Sequence, residues 1–479
     1  MRDKAEENST TKPIQNTSAY AIQRKHISTY EKAVEYLLSI PRFTTKHTPE
    51  ATKRQLYALG APDRKLRIIH VAGTNGKGSV CAYMRHILEA AGYTTCVFTS
   101  PHLVDIRERF LIKGELVSEE AFLQAFLRVY ESLDWEALER GEGYHPTFFE
   151  YLFFMAMLLF AEANADYCIL ETGLGGRLDA TNAVEQKELT IITRLGLDHT
   201  EYLGNTIGEI AAEKAGIMRP NVPVVCVESD EESSGVLREK ATKLGAPIYS
   251  LSKKDYSFLN FKNKNIDFSV HTEYYGNVRL ELHTQARYQM ENASLAILAI
   301  GVLDGGSSVL PTHLQEGVRK CVWQGRMEEI LPNVYVDGAH NEDGIRAFME
   351  TVGADGCKGR RSLLFSVVQD KDYRNMIKDI LQGSVFSRIA IAPMRTARAT
   401  DVGTLEKIFA EHEKNINDCE HTIYDSVETA LRELLHTQEA KEYIYIAGSL
   451  YLVGEIKELM SVGGLHSMKE TNYEKSTLN

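Results

Sequence analysis

The chain has 479 residues, 43% of them apolar and 25% charged, the proportions of a globular protein long enough for more than one domain. A formal charge of −12 argues against a general nucleic-acid or anionic-membrane binder, because such partners favour a basic face. Seven cysteines, scattered singly without a C-x-x-C, give neither a disulfide framework nor a zinc site and point to a reducing, cytoplasmic setting.

Residues 1–20 are polar and lack the apolar segment of an export signal, so a disordered tail is expected there. Apolar, β-rich runs at 66–71, 94–98, 166–171, 189–195 and 222–227 predict strands. Helical patterns at 78–91, 118–139, 147–164 and 206–218 fall between them, the last opened by a Thr206/Glu209 capping box. This alternation is the rhythm of a parallel sheet wrapped by helices. The run "FFEYLFFMAMLLF", 148–160, is too short to span a bilayer and contains Glu150, so it reads as a core helix. Alternating segments about Gly276, within 256–283, predict an inserted hairpin. After a break at 320–326, "KCVWQGR", further strands are expected at 334–338, 362–367, 388–393 and 442–448. The expected fold class is α/β, with a larger domain over 21–321, a smaller one over 322–460 and a polar tail over 461–479.

Directly after the first predicted strand comes "GTNGKGS", residues 73–79, which leads into a helix. Unpaired N–H groups at a helix N-terminus and the helix dipole favour an anion, and glycines let the backbone approach it. Lys77 would add charge and Ser79 a metal-binding hydroxyl. The spacing departs from G-x-x-x-x-G-K-[ST], since Gly73 and Gly76 are closer together and Gly78 separates Lys77 from Ser79. "GLGG" at 173–176 is no dinucleotide fingerprint, because position 178 is leucine.

Other stretches accompany the loop: "FTSPHL" (98–103), "ETGLGGRLDATN" (171–182), "LDHTEYLG" (197–204), "EKAGI" (213–217), "QMENA" (289–293) and "DGAHN" (337–341). Together with "GTNGKGS" they resemble the Mur ligase superfamily, and within it the folylpolyglutamate synthase and bifunctional dihydrofolate synthase/folylpolyglutamate synthase family. The pattern departs at Glu342, where many relatives carry proline, and at Phe110, where an aliphatic residue is commoner. The resemblance implies a P-loop ATPase domain with a parallel-rich sheet, a smaller Rossmann-like C-terminal domain, and ATP in the cleft between them. It implies a cytoplasmic, monomeric ATP-dependent ligase that adds L-glutamate to the γ-carboxylate of reduced folates, with dihydropteroate as a further candidate acceptor, and without nucleic-acid or membrane partners.

The chemistry makes physical sense of the residues. A carboxylate does not join an amine in water unless it is activated, and ATP activates it as an acyl phosphate. Gathering a carboxylate and a triphosphate needs cations, and hard oxygen ligands suit Mg2+. Glu171 ends a predicted strand, where open α/β sheets place ligand groups. Alone, His199 reads as a hydrogen-bonded histidine and Lys214 as a solvated partner of Glu209 and Glu213 on its helix. The resemblance instead implies two Mg2+ sites held by Ser79, Glu171, His199 and a carbamylated Lys214, with Lys77, His199 and Lys214 catalytic. It places ATP on Gly73, Thr74, Asn75, Gly76, Lys77, Gly78 and Ser79, with Asn292 at the adenine, Arg326 at the phosphates and Asp337 at the ribose. Acceptor or glutamate sites are implied at Ser100, Pro101, His102, Arg109, His340 and Ser449. Two other readings remain at this point: a ligase extending UDP-linked muropeptides, and a P-loop switch that hydrolyses nucleotide without ligation.

Overall fold

The computed structural model describes residues 24–40, 47–413 and 419–461. The tail expected over 1–20, and that over 461–479 except Ser461, lie outside the described residues. Eight strands form the first sheet: β1 (Ile68–Ala72), β2 (Thr95–Phe98), β3 (Phe110–Ile112), β4 (Glu115–Leu116), β5 (Tyr167–Glu171), β6 (Leu189–Ile192), β7 (Val224–Val227) and β8 (Ile248–Leu251). Their order is β4-β3-β2-β5-β1-β6-β7-β8. From β2 to β8 every pairing is parallel, and β3 and β4 add an antiparallel edge.

Both central strands, β1 and β5, are wholly buried, as expected of a sheet covered on both faces. Ile68, Cys168 and Leu170 pack with the helix Phe148–Ala163. Ile69, Val71 and Ile169 face the other way, toward the helices Lys77–Ala90 and Tyr288–Asp304. The apolar run at 148–160 is thus a core helix, opened by a Thr147/Glu150 capping box, and no described helix is long and apolar enough to cross a membrane.

Three antiparallel strands, β9 (Tyr256–Lys262), β10 (Asn265–Thr272) and β11 (Gly276–Leu282), make the second sheet. The hairpin expected about Gly276 is β10–β11, and β9 adds a strand to it. Residues 321–327 then lead into a third sheet of β12 (Glu328–Leu331), β13 (Val334–Val336), β14 (Arg361–Phe365), β15 (Arg388–Ile391), β16 (Glu420–Ile423) and β17 (Tyr443–Ala447), ordered β12-β13-β17-β14-β15-β16. Only β12 in it is antiparallel to its neighbour.

Two expected elements differ. The helix predicted over 118–139 is two, Glu119–Glu131 and Trp135–Glu139, because Asp134 accepts from the Ala137 N–H and starts a new helix. The strand predicted over 189–195 ends at Ile192. Beyond it the Thr193 hydroxyl donates to the Asn75 carbonyl, and the Arg194 carbonyl accepts from the N–H groups of Thr74 and Asn75. The chain there leaves the sheet to support the glycine loop. Because β5, β1 and β6 are neighbours, their carboxyl ends lie side by side, which sets Glu171 at the end of β5 next to the 73–76 loop and residues 193–199.

Candidate active site

The glycine loop is bound to its surroundings on several sides. Gly73 has φ +152° and Gly76 φ +89°, a region that favours glycine. A Cβ on Gly73 would overlap the Thr193 hydroxyl. Gly76 caps the helix Lys77–Ala90, so the N–H groups of Lys77, Gly78 and Ser79 have no partner within that helix. The Lys77 ammonium folds back on the loop, donating to the carbonyls of Gly73 (3.2 Å) and Thr74 (3.1 Å). The Ser79 hydroxyl is buried and accepts from Gln289 Nε2 at 3.2 Å.

Lys214 is not the solvated partner that helical spacing predicts. Glu209 turns back to cap Asn205 and Thr206, and Glu213 pairs with Arg177. Lys214 itself is 4% exposed and donates to the Gly73 carbonyl at 2.8 Å. Burial, reinforced by the nearby charge of Lys77, lowers its pKa to about 7. The 173–176 turn makes this site: Gly176 lies against the backbone of Glu213 and Lys214, where a Cβ would clash. Glu171 is 3% exposed, and its Oε2 accepts the Ser100 N–H at 2.8 Å. Burial raises its pKa, against the opposing charge of Lys77.

A polar cluster joins the two halves of the chain. Asp198 accepts from Lys371 Nζ at 2.6 Å and from Asn341 Nδ2 at 3.0 Å, and Asn341 also exchanges hydrogen bonds with the Asn75 amide at 3.1 and 3.3 Å. The Lys371 ammonium holds Asp198 far below the usual carboxylate range in spite of its burial. His199, at φ 50°, sits beside Lys371 with 3.3 Å between the two nitrogens. Burial and the Lys371 charge lower the His199 pKa to about 4 and that of His340 to about 3. His340 Nδ1 lies 2.7 Å from the Gly338 carbonyl, so it carries the hydrogen and leaves Nε2 as an acceptor.

The remaining expected residues occupy defined places. Asn292 is buried, donates to Gln289 Oε1 at 3.0 Å, and lies against Gly76. Asp337 is buried and accepts from Tyr288 Oη (2.6 Å), Met327 N (2.9 Å) and Ala339 N (2.8 Å). Arg326 lies beside Gly338 and Gly325. Arg109, also buried, donates to His102 Nδ1 at 2.8 Å and sits over the Phe148 ring. Ser449 is buried, and its hydroxyl accepts from the Tyr451 N–H.

Among the described residues no group of three His, Cys, Asp or Glu side chains is placed to hold a metal ion. The donor set still fits Mg2+, which keeps several waters and takes one or two protein ligands together with phosphate oxygens. Ser79 and Glu171 supply hard oxygens beside the loop, and His199 a neutral imidazole. Sequence reasoning missed Asp198, Lys371, Asn341 and Gln289. "LDH" and "GAHN" contain Asp198 and Asn341, but nothing local marks Lys371, whose partners lie across the interface.

Residues 71–300 match the Mur ligase middle domain and residues 326–460 the dihydrofolate synthetase C-terminal domain. The chain is 34% identical over 437 residues to the dihydrofolate synthase/folylpolyglutamate synthase of Bacillus subtilis, which covers 90% of this chain and 98% of that one. E. coli FolC in complex with DHPP and ADP is similar at a TM-score of 0.78 and 27% identity, over 91% of this chain and 98% of that one. A Mycobacterium tuberculosis folylpolyglutamate synthase complexed with ADP gives a TM-score of 0.80 at 25% identity, over 90% and 98%.

His199 and His340 are neutral in the fold, with pKa values of about 4 and about 3, whereas an unfolded histidine protonates near ~6.5. The unfolded chain therefore binds more protons as pH falls below that value, and stability declines from there toward pH ~4. The thermal midpoint should be lower at pH 5 than at pH 7.5, and the double variant His199→Gln, His340→Gln should flatten that dependence. An unchanged slope in the variant would contradict the assignment.

Proposed function

Because this chain belongs to the dihydrofolate synthase/folylpolyglutamate synthase family of Mur ligases, we propose that its polar cleft gathers the triphosphate of ATP, a folate carboxylate and glutamate. The enzyme is an ATP-dependent amide-bond-forming ligase that adds glutamate to folates. The muropeptide and switch readings give way to this one, since the likeness to a folate ligase runs along nearly the whole chain. The observation that carries the assignment is the meeting of Lys77 and Lys214 on the Gly73 carbonyl, with Ser79 buried on the same loop and the Glu171 carboxylate within electrostatic reach of Lys77.

In this reading the N–H groups of Lys77, Gly78 and Ser79 hold phosphate oxygens, and Lys77 exchanges its loop carbonyls for the phosphates. Ser79, Glu171, His199 and a carbamylated Lys214 would hold two Mg2+ ions, which would supply positive charge against the phosphates when bound. Burial suits Lys214 to that role. With a pKa of about 7, much of the amine is neutral at neutral pH, and the neutral amine adds carbon dioxide to give a carbamate and a proton. The acceptor carboxylate attacks the γ-phosphorus and ADP leaves. The glutamate amine then attacks the acyl carbon and phosphate leaves. Ser100, Pro101, His102 and Arg109 border the acceptor, and His340 and Ser449 the glutamate. His340 acts as a hydrogen-bond acceptor, since its low pKa makes it a poor store for a proton.

Asn292 serves the adenine, Arg326 the phosphates and Asp337 the ribose, which it would share with Tyr288. Arg326 and Asp337 belong to the segment over 322–460, which we take as the second domain beside the first over 21–321, so one ATP engages both. The free thiols of all seven cysteines suit a reducing cytoplasm.

Purified protein given ATP, Mg2+ and labelled glutamate should form a γ-linked product with tetrahydrofolate, and with dihydropteroate an amide one glutamate heavier. Phosphate release that does not depend on glutamate, with no product of either mass, would refute the ligase assignment. Lys214→Ala should lose at least ~100-fold in turnover, as when one group that stabilises the transition state is removed, and should regain part of it with added acetate or formate. Full activity in Lys214→Ala would end the carbamate proposal.

A further inference from the structure

Arg194 lies outside the residues assigned above, yet it connects both sides of the nucleotide loop. Its carbonyl takes the N–H groups of Thr74 and Asn75 at 3.0 and 3.2 Å. Its guanidinium grips Glu291, with Nε to Oε1 at 2.7 Å and a second bond from NH2 to Oε2. Tyr256, on β9, donates to the same Glu291 oxygen at 3.1 Å. Glu291 precedes Asn292, and the Asn292 amide packs against Gly76, so the contacts close a ring: loop, Arg194, Glu291, Asn292, loop. The Glu291 side chain is 9% exposed, so losing Arg194 would leave a buried carboxylate without its cation, and a paired guanidinium fork fixes orientation as well as distance.

We propose that Arg194 and Glu291 are positioning residues for ATP, holding the phosphate loop and the base-facing segment at one fixed separation. The proposal rests on the reading that residues 73–79 receive the triphosphate. The side chains of the pair make no described hydrogen bond or ion pair with the acceptor segment at 100–109 or with Asp198 and Lys371, and reach that cluster only by way of the loop residue Asn75, so the main effect should fall on ATP. Loss of either partner leaves the loop hydrogen bonds to the Arg194 backbone in place but frees that backbone to shift. The phosphate N–H groups and Asn292 then no longer meet one nucleotide in register.

The test is a double-mutant cycle on the full-length enzyme with Arg194→Met, Glu291→Gln and both together, alongside Arg194→Lys and Lys77→Ala. Each single variant should raise KM for ATP about tenfold, a free-energy change of ~1.4 kcal/mol, and leave KM for folate and glutamate within about twofold. The double variant should be no worse than either single one, and Arg194→Lys should recover part of the loss. Melting curves identify any variant that has failed to fold, and Arg194→Lys then carries the comparison. The proposal is overturned if KM for ATP stays within twofold of the parent, if the two effects add, or if all three KM values rise together. If Lys77→Ala also leaves KM and kcat for ATP unchanged, the loop assignment itself fails; if only Lys77→Ala impairs ATP use, the loop stands and the Arg194–Glu291 proposal falls.

Discussion

Two lysine side chains converge on one carbonyl oxygen, that of Gly73, with Lys214 at 2.8 Å and Lys77 at 3.2 Å. Two cations so close repel, and the buried one loses affinity for its proton. An anion brought into the space would relieve that repulsion. Everything around it serves to hold that carbonyl. The conformation of Gly73 is one that favours glycine, Thr193 and Arg194 brace the loop from the next strand, and the 173–176 turn presses the Lys214 helix into place. The sheet order β5-β1-β6 brings these three segments together, and the wholly buried β1 and β5 keep them from shifting.

The second half of the chain completes the site rather than merely adjoining it. Asn341 caps its helix while pairing with Asn75 of the loop, and Lys371 neutralises Asp198. Asp337 takes a hydrogen bond from Tyr288 across the same boundary. These contacts are polar and partly buried, so each would be costly to leave unsatisfied. In the proposed reading, charged substrates would exchange with these contacts as both halves of the chain engage one ATP.

What the sequence disclosed was local. A strand, closely spaced glycines, a lysine and a helix in order mark an anion loop, because each element acts within a few residues of the next. Alternation about Gly276 exposed the β10–β11 hairpin for the same reason. Lys214 misled, because helical spacing pairs it with Glu209 and Glu213, while the fold sends those carboxylates to a helix cap and to Arg177. Lys371 left no trace, since its significance comes from Asp198, 173 residues away. The break inside 118–139 turns on one side chain, Asp134, capping a new helix in a pattern otherwise compatible with a single one. Family likeness supplied what local rules could not, an expectation that these distant motifs serve one site.

The central claim is that the loop at 73–79 grips a triphosphate that both halves of the chain then share. A crystal structure with a non-hydrolysable ATP analogue and Mg2+ tests it most directly. The β- and γ-phosphates should lie on the N–H groups of Lys77 to Ser79, with Lys77 released from the Gly73 and Thr74 carbonyls and Arg326 reaching the same nucleotide. An analogue bound elsewhere, or a loop with Lys77 still folded on its own carbonyls beside the bound nucleotide, would contradict the account.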